Sequence, residues 1–338
     1  MSNHFLTHAW VALVCSTTAG VSLAADAGTP FGRDDAPAAC RFCDLRYENL
    51  STRRIERADL TGAFLHGVNF SWSVMTDARF RSANLSHARM EWGDFDRADF
   101  SKASIEDAAM FRSTFRGADL RMANLSRSNL TRSELGEANL LTAILRDVDL
   151  SHARLENAVL RQADLTGAQL TGSRLQNADL QGAVLDRARL EGSALTGANF
   201  AGASLKGAVF GATFVKQANF RKADLSQADF RGAFLDACNF SGANLAGADF
   251  SGAVLRNIAL RGVNVCGAKL PDGSLGPCPP EDPKRTQDAS PDAGGPAAAP
   301  GAASEPRASG ESPPPASRTS RQTAFRSLHG STRAHDRL

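Results

Sequence analysis

The sequence predicts an all-β fold, a parallel β-helix built from square coils, and three observations predict it. Large apolar residues recur every five positions; in "FSGANLAGADFSGAVL" they are Leu245, Phe250 and Leu255. Small residues, here Ala243, Ala248 and Ala253, stand two places before each of them. Glycine is common two places after the large residue, as at Gly62, Gly117, Gly167, Gly182, Gly197, Gly232 and Gly242. An α-helix, at about 3.6 residues per turn, would scatter this pattern around its surface. A flat strand would send successive steps of five to opposite faces. A chain that turns a corner every five residues satisfies all three observations. Two alternate residues of each unit face inward, and the other three face out and make the bend. Glycine suits the bend because it adopts positive φ at little cost.

The elements follow in order along the chain. Residues 1–25 read as a signal peptide. An apolar run from Ala9 to Val14 leads into Ser22-Leu23-Ala24-Ala25, although the start offers only His4 and His8 and no Lys or Arg. The expected location is therefore periplasmic or secreted. Lipid attachment at Cys15 is a poor alternative, because the bulky Val14 precedes it. Residues 26–39 form a short linker. The repeat occupies 40–277, with no slip of phase between Leu45 and Leu275. Four corners close a coil of about 20 residues, so this region makes about 11–12 coils, each stacked ~4.8 Å above the last. Residues 278–338 are rich in Pro, Ala, Gly and Ser and bury too little to fold, so they read as a disordered tail. Beyond the N-terminal run, no apolar stretch is long enough to span a bilayer.

The tokens "ADLTGA", "ANLSRS" and "ANFAGA" repeat one unit, A-(D/N)-L-x-x, dozens of times in phase. In this the sequence resembles the pentapeptide-repeat proteins. The resemblance implies a right-handed quadrilateral β-helix over roughly residues 40 to 275. The head "CRFCDL" and the tail "CGAKLPDGSLGPC" are similar to the ends of such proteins. Glu48 and Arg53 stand where alanine is expected, which points to an imperfect first coil or cap. Spacing by 20 places Phe200, Phe220 and Phe240 on one inner wall and Phe210, Phe230 and Phe250 on the opposite one.

The same spacing picks out surface columns. Trp72 and Trp92 share an outward corner with Arg112, Arg132 and His152. Trp and Arg are enriched at interface hot spots, so Trp72, Trp92, Arg112 and Arg132 form a candidate partner surface. The bland alternative is that the two indoles simply cover each other. Phe214, Phe234 and Val254 make an outward apolar stripe. It reads either as a self-association face, since some family members dimerise through that end, or as a surface covered by the tail. Arg81, Arg121 and Arg161 recur in a further column and read as a solvated face. Asn199, Asn219 and Asn239 form an amide ladder.

Cys40 and Cys43 lie at one end of the repeat and Cys266 and Cys278 at the other, too far apart to share one zinc ion. In an oxidising compartment two local disulfides would fasten the ends. A redox-active pair at Cys40 and Cys43 remains open. Cys238 takes an inward alanine position and reads as a buried free thiol. His66, His87 and His152 fall on different columns or distant coils, with no nucleophile and acid brought to them. There is no Walker loop, no G-x-G-x-x-G after a strand and no H-E-x-x-H. The expectation is a non-enzymatic rod with no cofactor and no metal site, whose outer faces bind an unknown protein partner. The alternative is a DNA mimic that engages a topoisomerase. It is disfavoured because the formal net charge is +2 and basic residues slightly outnumber acidic ones in the repeat. Binding of nucleic acid itself is likewise not expected.

Overall fold

The computed structural model describes residues 39–260 and 262–278. The proposed signal peptide and tail lie outside the described residues. Residues spaced by 20 pair in parallel along four columns, which begin with Ala39↔Asp59, Asp44↔Phe64, Asn49↔Asn69 and Arg54↔Val74. The last such pair is Asp249↔Lys269. From Ala39 to Lys269 is 230 residues, which at 20 per coil makes 11.5 coils. Ala39 therefore already belongs to the ladder rather than to the linker. Each side of the square contributes one paired residue, whose N–H and carbonyl both bond to the preceding coil, while the residues on either side of it bond to the following one. The Leu60 N–H donates to the Arg79 carbonyl at 2.7 Å, and the Arg79 N–H donates to the Ala58 carbonyl at 2.7 Å.

The corner is a four-residue turn. The Ala63 N–H donates back to the Leu60 carbonyl at 3.1 Å, and Gly62 between them has φ +67°. A positive φ at the third residue is the type II geometry. The Asp or Asn before the large residue helps to set it: Asp59 Oδ1 accepts from the Thr61 N–H at 3.2 Å, and Asn69 Oδ1 accepts from the Ser71 N–H at 3.0 Å. Such a side chain holds its own backbone two residues on, which gives the A-(D/N)-L unit its second letter. Glycine favours this corner but does not define it. Trp72, Arg97 and Arg187 adopt φ of 64°, 58° and 61° at equivalent positions.

The corner changes character on one side near the C-terminal end. There the backbone extends into three short strands: β1 (Phe214–Lys216), β2 (Phe234–Asp236) and β3 (Val254–Arg256). They pair in parallel in the order β1-β2-β3, with Phe214 opposite Phe234 and Phe234 opposite Val254.

The axis is dry. From Leu60 to Phe250 no central residue of a unit is more than 1% exposed. The expected phenylalanine stacks are present, with ring centroids 5.0 Å apart for Phe200–Phe220 and for Phe220–Phe240, and 4.5 Å apart for Phe210–Phe230. A second aromatic nucleus, unremarked in the sequence, joins Phe80 to Phe100 and Phe95 to Phe115 at 4.6 and 5.3 Å. Where serine replaces the small alanine, its hydroxyl serves the backbone: Ser73 and Ser133 each donate to the carbonyl three residues back at 2.6 Å.

The ends depart from the regular coil. Arg53 is exposed and Glu48 half-buried, yet their carbonyls still accept from Val74 and Asn69. At the other end the phase seen in sequence does not carry to its last member. Ile258 and Leu260 are only partly buried, and Leu275 is 67% exposed. The reason is a reversal, in which Leu275 pairs antiparallel with Lys269 instead of continuing the parallel ladder.

Candidate interaction surface

The Trp column is ordered by the coil repeat. Trp72 and Trp92 stack face to face, with centroids 4.9 Å apart and planes 4° from parallel. The Arg112 guanidinium continues the stack, 4.7 Å from the Trp92 centroid. It also lies 5.4 Å from the ring of Phe111, which meets Trp92 edge-on at 5.9 Å. Trp72 remains 58% exposed. Sequence reasoning missed Phe111, although its place beside the Arg112 corner was readable from the same 20-residue spacing. A shallow depression beside the indoles is lined by Ser71, Arg89, Glu91, Ala109, Phe111 and Asn129. Glu91 is engaged there: Ser71 Oγ donates to it at 2.7 Å and Arg89 lies 3.7 Å away. Arg112 and Arg132 form no ion pair among the described residues. The nearby Glu134 is taken by Arg116 and Arg154. The four candidate residues thus share one exposed corner.

The second candidate surface is the outer face of β1–β3. Phe214 and Phe234 stack at 5.1 Å, and Phe214 and Val254 are about half exposed. Arg256 lies 5.8 Å from the Phe234 ring. Most of the remaining surface neutralises itself. Arg97 grips Asp77 through two hydrogen bonds of 2.9 and 2.8 Å, and Arg127 grips Asp107 at 2.9 and 2.7 Å. These arginine hydrogen bonds hold both carboxyls below their ordinary range. The amide ladder is real at Asn219, which donates to Asn199 Oδ1 at 3.0 Å.

Two of the histidines meet across neighbouring columns. His66 and His87 stand on adjacent columns of neighbouring coils, and their rings meet edge-to-face at 5.1 Å. His66 Nδ1 lies 2.8 Å from Ser86 Oγ, and that hydroxyl is within 2.7 Å of Asn84 Oδ1. Counting in whole coils hid this contact, because residues 20 or 21 apart both become neighbours. Tyr47 packs on the other side of His66 at 5.3 Å. Among the described residues no group of three His, Cys, Asp or Glu side chains is arranged to hold a metal.

Cys40 is joined to Cys43 and Cys266 to Cys278, with Cα separations of 5.4 and 4.1 Å. Cys238 is a buried free thiol, and burial pushes its pKa up. No helix among the described residues is long and apolar enough to cross a membrane.

The family model described as pentapeptide repeats matches residues 38–77, 54–91, 75–117, 108–140, 143–182, 173–211 and 218–257. Nothing among curated proteins matches the chain. Among solved structures, HetL, a pentapeptide repeat protein involved in heterocyst differentiation regulation from the cyanobacterium Nostoc sp. strain PCC 7120, is 28% identical. The match covers 67% of this chain and 93% of HetL, with a TM-score of 0.29. A trypsin-treated form of QnrB1, a plasmid-mediated fluoroquinolone resistance protein, is 26% identical over 52% of this chain and 86% of its own, with a TM-score of 0.33. A pentapeptide repeat protein from the Arabidopsis thaliana thylakoid lumen is 32% identical over 38% of this chain and 75% of its own, with a TM-score of 0.18. The assignment rests on the repeat match, which spans more than half of the sequence, together with the five-residue register of the coil: this chain belongs to the pentapeptide-repeat family.

Proposed function

We propose that this protein is an exported, non-enzymatic rod, coiled right-handed as the family resemblance implies, whose outer corner at Trp72 and Trp92 binds a protein partner. The observation that carries the reading is the exposed indole stack capped by Arg112. Trp and Arg dominate binding energy where they are found at interfaces. A rod of fixed coils presents them without an ordering cost, which favours affinity. Export is supported by the signal-like N-terminus and by the paired cysteines at both ends, since disulfides persist in oxidising compartments. The alternative of a DNA mimic that engages a topoisomerase is less favoured, because such a mimic needs a strongly negative field and this chain has net charge +2.

Affinity capture from envelope extracts tests the reading. A partner retained by the wild type and lost with Trp72→Ala/Trp92→Ala is the expected result. Equal capture by both proteins, or a full-length uncleaved chain found only in the cytosol, sinks it.

A further inference from the structure

The corner column that holds the indoles is bulky in one half of the rod and bare in the other. It reads Trp72, Trp92, Arg112, Arg132, His152, and then Gly172, Gly192, Ala212, Gly232, Gly252. Every one of these ten residues has positive φ. A side chain in that conformation costs roughly 1–2 kcal/mol, which glycine avoids. The bare half shows that the coil does not need a side chain here. Nothing lies within 4 Å of a Cβ built at Gly192, Gly232 or Gly252. Non-glycine residues also hold this corner elsewhere, as at Lys102, Met122 and Gln162, so the conformation alone assigns these five no role and a reason must come from what they carry.

Their chemistry supplies one. Trp92 is covered on one face by Trp72 and on the other by Arg112. The stack leaves indole edges facing solvent, and an aromatic edge is the positive part of the ring quadrupole. The indole N–H is a donor with no acceptor capacity. Arg112 and Arg132 add two guanidinium groups without an ion pair among the described residues. In no other column of described residues do two arginines without an ion pair follow one another on successive coils. Like charges held one rung apart repel, so an anionic ligand would relieve them. With both of its faces covered, Trp92 offers no plane on which a sugar could stack. Electropositive edges and guanidinium forks favour carboxylates, which accept in the plane and bind arginine bidentately.

We propose that the column Trp72–Trp92–Arg112–Arg132 binds an acidic polypeptide segment laid along the rod axis. The carboxylates pair with Arg112 and Arg132, and the chain passes over the indole edges. This rests on the reading of the rod as a protein-binding scaffold and names the chemistry of its partner.

The test is a titration of the full chain with short polyglutamate, polylysine and dextran sulfate, read by tryptophan fluorescence. The chain has 3 Trp, and Trp72 and Trp92 are the two in the described rod. The expected result is a saturable response to polyglutamate and none to polylysine. Affinity falls about tenfold or more in Arg112→Ala/Arg132→Ala and falls with added salt, as contacts to exposed charges do. The far-ultraviolet circular dichroism of that variant should match the wild type, because neither side chain enters the core. A polyglutamate affinity unchanged in the arginine variant overturns the proposal. So does binding of dextran sulfate without binding of polyglutamate. Envelope capture separates this failure from that of the scaffold reading: a partner lost with Trp72→Ala/Trp92→Ala but kept by the arginine variant preserves the scaffold and refutes the acidic segment.

Discussion

Phe220 stands at the centre of the C-terminal aromatic stack, and Phe220→Ala isolates what that stack contributes. Its side chain is fully buried, with Phe200 and Phe240 face-on at 5.0 Å on either side and Phe210 edge-on at 6.1 Å. Truncating a buried phenylalanine typically costs about 3–5 kcal/mol, and the amount depends on how far the surroundings collapse. Here they collapse little. The coil spacing is fixed by backbone bonds on both sides, including Phe220 N–H to Asn239 O at 2.8 Å on one and Asn219 N–H to Ala198 O at 2.9 Å on the other. The cost should therefore fall in the upper part of that range, about 4–5 kcal/mol. Because each coil touches only its neighbours, the damage should be local. Native-state hydrogen exchange reads both quantities: protection should drop at Phe220 and Asn239 and persist near Leu140. Phe220→Leu should cost less than half as much, since Leu180 fills the same column. A loss below about 2 kcal/mol, or a uniform loss of protection along the rod, would refute the claim that stacked rings and a rigid coil spacing set the core energy.

Four further outcomes follow from particular residues. Arg187→Gly should raise stability by about 0.5–1 kcal/mol in denaturant unfolding, because Arg187 has φ 61° and makes no ion pair among the described residues, whereas Gly182→Ala at φ +68° should lower it. Ser128→Ala should cost about 1–3 kcal/mol and expose the Ala108 amide to exchange, since Ser128 Oγ accepts from that buried N–H at 3.1 Å and donates to the Ile105 carbonyl; Ser173→Ala, whose hydroxyl has no partner among the described residues, should be near neutral. Acid should destabilise the rod. Ser251 holds Asp249 down to about 2, and Arg231 holds Asp229 low. A depressed carboxylate stabilises the fold above its unfolded pKa of about 3.9 and loses that contribution as pH falls toward 2, so thermal midpoints should decline over that window. Sedimentation equilibrium at micromolar concentration should find a monomer: β1–β3 offer three rungs of apolar stripe, ~10 Å along the axis, against the ~800 Å² per partner that a stable interface buries, so a dimer broken by Phe234→Asp would refute this.

The fold was legible because three demands fall on the same few positions. Leu160 must be large to fill the axis, apolar to stay dry, and in phase to meet the Leu140 and Leu180 of its neighbours. A sequence obeying all three for 11.5 coils leaves no other backbone open. Legibility failed where the demand is weaker. Leu275 keeps the phase but sits past the last full coil, with no further coil above it among the described residues, and the chain reverses there. The left-handed corner was read from its glycines, yet the turn bond holds Trp72 and Arg187 in the same conformation, helped at Trp72 by Asn69, while Val184 takes that place before Arg187. The surface columns were placed correctly by counting in twenties. Contacts between columns, Arg112 with Phe111 and His66 with His87, need the corner to be seen in three dimensions.

The two candidate surfaces occupy opposite halves of the rod, and the same column explains both. Where the corner carries Trp72, Trp92, Arg112 and Arg132, side chains stand out from the coil and offer edges and charges. Where it falls to Ala212, Gly232 and Gly252, the corner recedes, and the neighbouring side bearing Phe214, Phe234 and Val254 becomes the highest ground. A change of residue size at one repeat position thus accompanies the passage from a charged ridge to an apolar face, on the side where the corner gives way to the short strands β1–β3. Corners are well suited to this. They lie outside the axis, so size there costs nothing in packing. The only penalty is the strain of a positive φ. In this coil, the side chains at that corner are therefore better pointers to a binding site than any inward residue, whose identity the stack has already dictated.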